Sequence, residues 1–565
     1  MPFCELFFFN YKNNTNSLML FLFDNKEKKF NLFALFLIVI AGIAAYSNSF
    51  HCAFIFDDNP NITENLRIRN LWDIHSWWSF NPRRPIGFLT FALNYHFNEL
   101  NVWGYHLVNL LIHLTNGLLV YWLIKQTFQT PAIKGKYDSK IQMMIPLFAA
   151  LLFVVHPIMS EAVTYIVQRL VSLATLFYLL SLNMYIKGRL SDKPFKKNVI
   201  FYILSVFAAI LGLLTKEIAY TLVAALLLYE IYFFNSSLKH KNKKWMYLIL
   251  LIFLVSIVFF SFTVKYDKFF KVIEPTEGNN YSITTYTYLL TEFRVLITYI
   301  RLLVVPISQT FDYDYPLSKG FFEIKTMGSF LIITSIIALA IWLRKKNKWI
   351  SFGIIWFFIT ISVQSSIIAR PNVIFEHRVY LSMVGYLFVI IGIFLYLDKF
   401  KEIRTVLLAI AIVLISVFGV YTYQRNKIWA NTYTFWADAV KKSSNKPRPL
   451  NNFGSVLIEY GDYENALLLL NKAIVINPKH ADYYNNRGVA KFYLKDTSGA
   501  LDDFNKAIFM KVNSAKTYYN RANIMADQKK YKEAIEDYTK AIFYKPDYLD
   551  AIKKRKAIEN ILSIK

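Results

Sequence analysis

Apolar residues run in long blocks along the first three quarters of the chain, and then the pattern changes to a shorter, repeating one. Eleven blocks approach the roughly 20 apolar residues that a helix needs to cross a bilayer. They lie at about 31–48, 103–124, 142–156, 166–186, 198–214, 218–234, 245–263, 328–343, 350–368, 379–397 and 405–421. The pattern predicts a polytopic bundle of membrane helices over residues 31–425. The run Leu18–Phe23 is too short to span and precedes Lys26, Lys28 and Lys29, so residues 1–30 read as a cytosolic segment. No small-residue cleavage site stands out near Tyr46–Ser49, which argues against a cleaved signal peptide. Tyr286–Pro306 competes for a twelfth span, but Glu292, Arg294 and Arg301 are expensive in lipid. It reads instead as an interfacial or re-entrant helix in a long outer loop, 264–327.

From about Leu450 a 34-residue period takes over. Ala466, Ala500 and Ala534 keep this spacing, as do Ala473, Ala507 and Ala541. Leu470, Phe504 and Tyr538 stay in step with Gly454, Gly488 and Ala522. Small residues at fixed places let paired helices approach, and larger ones fill between pairs. This is the tetratricopeptide pattern of stacked helical hairpins. It predicts repeats at 447–480, 481–514 and 515–548, a half repeat at 428–446 carrying Trp436 and Ala439, and a basic capping helix at 549–565. Residues 426–565 thus form an α-solenoid, and the fold class is all-α. By repeat phase, Asn451, Asn485 and Tyr519 are the concave-face candidates for gripping an extended partner segment.

Charge orients the bundle. Lys+Arg number 64 against 38 Asp+Glu, a net of +26. The excess sits in alternate loops, 125–140, 187–197, 239–244, 344–348 and 399–404, which the positive-inside bias places in the cytosol. The N-terminus is then inside and the repeats outside. With the charge explained by topology, nucleic-acid binding loses its support. Cys4 falls inside and Cys52 outside, and two cysteines make neither a disulfide framework nor a zinc module.

Acids and bases of mixed sign collect at the opposite, outer ends of the spans. The first outer loop, 49–102, carries Phe56-Asp57-Asp58-Asn59-Pro60 and Asn81-Pro82-Arg83-Arg84-Pro85. A carboxylate at a membrane surface suits a general base acting on a hydroxyl. Arginine forks suit phosphate. The second outer turn holds His156, Ser160, Glu161, Tyr165 and Arg169. The third holds Lys216-Glu217, the fourth Arg294, Arg301, Asp312 and Asp314, and the fifth Glu376-His377-Arg378. Each group also has a plainer reading: a solvated turn at Asp57-Asp58, a headgroup anchor at Arg83-Arg84, a satisfied histidine at His156. His156 and Glu161 are metal-ligand types, so a divalent cation stays open. No phosphate-cradling glycine loop ending in Lys-Ser or Lys-Thr, no His-Glu-x-x-His and no Gly-x-Ser-x-Gly occurs, which removes support for nucleotide-driven transport and simple hydrolysis.

Over about residues 31–565 the chain resembles the transmembrane and tetratricopeptide repeat-containing O-mannosyltransferase-like family of the GT-C glycosyltransferase superfamily, in a bacterial-type layout. The matching pieces are Phe56-Asp57-Asp58 with Asn61-Ile62, Arg84-Pro85-Ile86, and His156-Pro157 with Ser160-Glu161. Further matches are Arg169, Lys216-Glu217, Asp312-Tyr313-Asp314 and Glu376-His377-Arg378, where His377 separates a glutamate–arginine pair. The resemblance implies transfer of a hexose, mannose first, from a polyprenyl-phosphate donor to a protein Ser or Thr hydroxyl on the non-cytosolic face. It implies Asp58, then Asp57, as base. Arg84, Arg169 and Arg378 would hold the donor phosphate, and His156, Glu161, Lys216, Glu217 and Glu376 would shape the cavity. A non-catalytic repeat scaffold is the competing reading, and a flippase for lipid-linked sugar the third. The expected location is a bacterial cytoplasmic membrane, or the endoplasmic reticulum in a eukaryote, with the lipid donor and a protein as partners.

Overall fold

The computed structural model describes residues 15–191, 195–234, 251–254, 282–365, 368–511 and 513–563. Among them every regular element is helical. Six helices are long and apolar enough to cross a membrane: Glu27–Tyr46, Val102–Phe128, Ile166–Leu190, Glu217–Phe234, Ile324–Leu343 and Arg404–Trp429. A seventh is the pair Ser139–Val155 and Pro157–Thr164, bent by 50°. Three shorter apolar helices, Asn198–Leu213, Lys348–Ile361 and Met383–Leu397, complete the described bundle. The expected span 245–263 (apart from 251–254), the loop 239–244 and Cys4 lie outside the described residues.

Local chemistry explains where the helices break. Pro157 cannot donate to the turn before it, and the His156 ring caps the next turn by accepting from the Ile158 amide at 3.2 Å. The helix expected from residue 379 starts only at Met383, because Glu376–Val379 is a tight 3₁₀ turn committed to the polar network described below. Lys348–Ile361 and Met383–Leu397 cross backbone to backbone. A Cβ on Gly353 would lie 2.3 Å from the Gly385 carbonyl, a close approach of the kind small residues permit between membrane helices.

The polar segment Thr285–Val304 is a single 20-residue helix with a capping box at Thr284 and Thr287. Its buried stripe, Tyr288, Leu296, Tyr299 and Leu303, packs into the main core, and Arg301 stays exposed. At the lysine-rich end of the bundle, acids meet some of the cations: Lys125 with Glu27 at 2.9 Å, Arg189 with Glu230 at 2.6 Å and Arg404 with Asp398 at 2.5 Å.

The repeat half stacks helical hairpins: Pro447–Glu459 with Tyr463–Ile476, Ala481–Tyr493 with Thr497–Met510, and Ala515–Asp527 with Tyr531–Tyr544. Helix Thr432–Lys442 precedes them and Leu549–Ser563 closes the stack. The 34-spaced alanines are fully buried. Arg487 forks onto Asp503 and, one period later, Arg521 onto Asp537. Gly488 has no room for a side chain: a Cβ would lie 2.8 Å from Phe504 and 3.2 Å from the Ala500 carbonyl. Gly488→Ala is therefore expected to cost about 1–3 kcal/mol, the usual penalty for overpacking. A urea or thermal melt of the variant checks it, and an unchanged midpoint would show that the stack yields freely there.

Candidate functional site

Five stretches far apart in sequence converge at the end of the bundle opposite the lysine-rich loops. They are the loop around Asp57, the turn His156–Arg169, the Lys216-Glu217 corner, the return segment 305–316 and the turn 370–378. A sixth, the half repeat with the start of the first full repeat, closes over them. One aromatic cluster ties them together: Tyr165, Phe311, Trp429, Phe435 and Trp436 are buried, with Phe56 and Phe375 packed against them.

Asp57 and Asp58 differ sharply. Asp58 is buried, and both its oxygens accept backbone amides, Oδ2 from Ile55 at 3.0 Å and Oδ1 from Val167 at 2.7 Å. Burial pushes it up to about 8, against those two bonds and the Arg169 charge. It ties the first loop to the second outer turn. Asp57 is only half-buried, and its amide donates to the Tyr165 hydroxyl at 2.9 Å. Burial raises its carboxyl above the ordinary range, while Tyr165, Arg448 and Lys216 pull it back. Of the two, Asp57 has the carboxylate not committed to backbone amides, and it lies in the field of two cations. By that measure Asp57 is the freer carboxylate, where the sequence ranks Asp58 first.

One of these cations, Lys216, belongs to a wider group. Lys216 is buried and donates to Gln168 Oε1 at 3.3 Å. Burial, then Arg84, brings its ammonium down to about 7, with Arg370 and Arg378 adding to the drop and Glu217 opposing it. Arg84 and Arg370 both reach Glu217, at 3.0 and 3.3 Å, and both remain partly open to solvent. Three positive groups, Arg84, Arg370 and Lys216, thus face one glutamate, which leaves a surplus suited to an anion.

Arg169 and Arg378 play other parts. Arg169 is fully buried and spends its guanidinium on Asn109 Oδ1, the Thr90 carbonyl and the Tyr105 carbonyl. It braces the first loop from beneath and has no fork left for a phosphate. Arg378 donates to the carbonyls of Val373 and Asn372, at 2.8 and 2.6 Å, so it shapes the 370–378 turn and adds charge from behind. His156 is the satisfied histidine of the plainer reading: Nε2 meets the Leu303 carbonyl at 3.0 Å and Nδ1 accepts from Ile158.

Glu161 and Glu376 anchor a buried network. Glu161 accepts from the Glu376 amide at 2.9 Å and from His377 Nδ1 at 2.6 Å. Burial, then the Lys216, Arg378, Arg370 and Arg84 charges, hold His377 well below its ordinary value, so the ring is neutral. Glu376 accepts from Gln309 at 2.5 Å and Tyr313 at 2.6 Å. Its neighbour Arg425 lies 3.9 Å away and 3.6 Å from Asp438 of the half repeat.

In the repeats, Asn451 and Asn485 are buried and pass hydrogen bonds along the stack. Asn520 donates to Asn485 at 3.0 Å, Asn485 to Asn486 at 3.1 Å, Asn486 to Asn451 at 2.9 Å and Asn451 to Asn452 at 3.0 Å. Tyr519 stays half-buried, its ring against Tyr548 and Lys554. Among the described residues no three His, Cys, Asp or Glu side chains come together as a set of metal ligands.

Sequence reasoning passed over Arg370, Arg425 and Arg448. Arg425 follows an apolar span in the sequence and so announces itself only as a flanking cation. Arg448 stands between two prolines in the first repeat, and that rigid setting was the available signal.

The tetratricopeptide repeat family matches residues 515–548 and a second TPR-repeat family matches 454–495. The chain is 26% identical over 479 residues to protein O-mannosyl-transferase F38B6.6 of Caenorhabditis elegans, covering 79% of this chain and 63% of that protein. It is 24% identical over 501 residues to protein O-mannosyl-transferase TMTC3 of Homo sapiens, covering 81% and 53%. The chain therefore spans little more than half the length of these curated relatives. Of solved structures, MamA aligns over 23% of this chain and 75% of its own, with 23% identity and a TM-score of 0.21.

Proposed function

We propose that this chain, a member of the transmembrane and tetratricopeptide repeat-containing O-mannosyltransferase-like family, moves a hexose from a polyprenyl-phosphate donor to a protein Ser or Thr hydroxyl at the non-cytosolic face of a membrane. The observation that carries the reading is one juxtaposition. A half-buried carboxylate with a raised pKa, Asp57, stands in the field of Lys216, which is itself flanked by Arg84 and Arg370. The relatives' names supply the sugar and the acceptor class.

The chemistry follows from those charges. The acceptor hydroxyl gives its proton to Asp57 as its oxygen bonds to the anomeric carbon. The bond from that carbon to the phosphate oxygen breaks in the same displacement, and the electron pair leaves with the polyprenyl phosphate. Lys216, Arg84 and Arg370 face the charge that develops there, which lowers the barrier most where water is excluded. Asp58, Arg169 and Glu161 hold the frame. The cations present can face a phosphate, and Asp57 and Glu217 are the carboxylates that share the Lys216 field. The repeats, on this reading, hold the acceptor polypeptide or a partner.

Lipid mass spectrometry on purified protein tests the donor. A polyprenyl-phosphate hexose is expected to co-purify with wild type and to be depleted in Lys216→Gln and Arg84→Gln. Absence of any such lipid from well-folded wild type counts against the reading. A pH titration is sharper. Lys216 titrates near 7 in the free protein, and a bound phosphate would hold its proton on. Donor affinity is then expected to weaken as pH rises above 7, by up to about tenfold per unit for one proton. Donor Kd measured between pH 6 and 9 checks it, and a flat profile would remove Lys216 from the phosphate site.

A further inference from the structure

Phe56 is not a glycine, yet its φ is +53°. Side chains rarely adopt this left-handed region, and holding one there costs on the order of 1–3 kcal/mol. The residue that follows is Asp57, so the strained turn decides where that carboxyl points. What holds the turn is the Phe56 ring. It packs edge-on against Phe311 at 5.5 Å and Trp436 at 5.9 Å, and the Arg448 guanidinium lies over it at 5.2 Å. Two of these three contacts come from the repeat half: Trp436 from helix Thr432–Lys442, and Arg448 from the first turn of Pro447–Glu459.

Arg448 is itself fixed. Pro447 and Pro449 flank it, its fork meets Asp312 at 2.6 and 2.6 Å, and Nη2 also donates to Asn372 Oδ1 at 3.0 Å. The Asn372 carbonyl in turn accepts from Arg378. A rigid path therefore runs from the first repeat to the turn that carries the cations.

We infer that the repeat module completes the active site: Trp436 and Arg448 clamp Phe56 in its left-handed conformation and so aim Asp57, which makes both of them positioning residues for the transfer. The inference rests on the reading of Asp57 as base. Four groups bear on the Asp57 carboxyl: Asp58 in its own loop, Tyr165 from the second outer turn, Lys216 from the third, and Arg448 from the repeats. Of the four, only Arg448 belongs to the repeat half.

The test uses the full chain in detergent. Arg448→Gln is expected to lower kcat by about 10- to 100-fold, the scale of a misplaced reacting group, with donor KM unchanged. It removes a cation that favours the ionised carboxyl, so the acidic limb of the kcat profile should move to higher pH. Arg448→Lys keeps the charge and loses the fork: the limb should stay and kcat should recover in part. Trp436→Phe shrinks the clamp without touching any charge, and serves if Arg448→Gln does not fold; kcat should fall with the limb unmoved. A second readout needs no turnover. Carbodiimide labels a protonated carboxyl, and peptide mass spectrometry gives the pH at which Asp57 stops reacting. That pH should rise in Arg448→Gln. If it does not move, or if kcat survives both Arg448→Gln and Trp436→Phe, the inference fails. If wild type transfers no sugar while the labelling shift appears, the proposed reaction fails and the clamp stands.

Discussion

Asp57→Asn is expected to lower kcat by about 10²- to 10⁴-fold, the range for loss of a general base, with donor KM and melting temperature close to wild type. Nothing in the fold leans on the Asp57 side chain as it does on its neighbour. Burial raises Asp57, so in the wild type the acidic limb of kcat should lie above the ordinary carboxylate range. Asp58→Asn should behave differently in kind. Both Asp58 oxygens accept backbone amides, so an amide side chain there turns an NH₂ toward one of two N–H groups. One hydrogen bond is lost and two donors face each other, a cost of about 1–3 kcal/mol. Asp58→Asn should therefore melt earlier, and lose transfer because the loop has moved. Single-turnover rates with bound donor, read beside melting curves, separate the two. The opposite pattern, a stable and inactive Asp58→Asn beside an active Asp57→Asn, would return the base to Asp58.

The second large effect is expected at Asp312. Its carboxylate is the shared partner of Arg448 and Lys446, and all three groups are largely buried. Burial alone would raise Asp312, but the two cations outweigh it and hold it below its ordinary value. Asp312→Ala strands both cations at the seam between bundle and repeats. Breaking a buried pair in this way costs about 3–5 kcal/mol. The variant should release the repeat half to proteases at a lower temperature than wild type, with the bundle still intact. The sign of the pH effect follows. A carboxyl lowered by folding adds stability above its unfolded pKa and loses it as pH falls through the lowered folded value. Acid should therefore loosen the seam only below the usual carboxylate range, and Asp312→Ala should remove that transition. An unchanged cleavage pattern would mean that the aromatic cluster alone holds the seam.

The helical class and the repeats were legible because each rests on a period: a run of apolar residues for the bundle, and small and large residues 34 apart for the stack. The neighbourhood of the site was legible for a coarser reason. Charged residues in a mostly apolar chain can collect only where helices end, so the outer turns stood out. What a linear reading could not separate was use from neighbourhood. Asp57 and Asp58 are adjacent and chemically equal, and only the folded surroundings tell them apart: the burial of Asp58 and the amides of Ile55 and Val167. Arg169 reads as a phosphate ligand until Asn109, Thr90 and Tyr105 are seen to consume its donors. His156 reads as an active group until Leu303, from 147 residues away, accounts for its ring. Arg448 was hidden in the opposite way: the repeat period explains its surroundings so well that nothing marked it as a neighbour of residue 57.

The asparagine ladder has a consequence for how this protein tolerates change. Asn486 donates to Asn451 and Asn520 to Asn485, 35 residues apart each time, so these two joints in the stack are built to the same specification. Excising residues 481–514 would bring Asn520 to Asn451 much as Asn486 meets it now, and the shortened stack would still close. Length is thus a free variable at the distal end of the array. At the proximal end it is not, because among the described residues only the first repeat carries an arginine that reaches Asp312 and Phe56. Modules can thus be added or lost at the far end of the stack, while the unit that meets Asp312 and Phe56 has to stay in place.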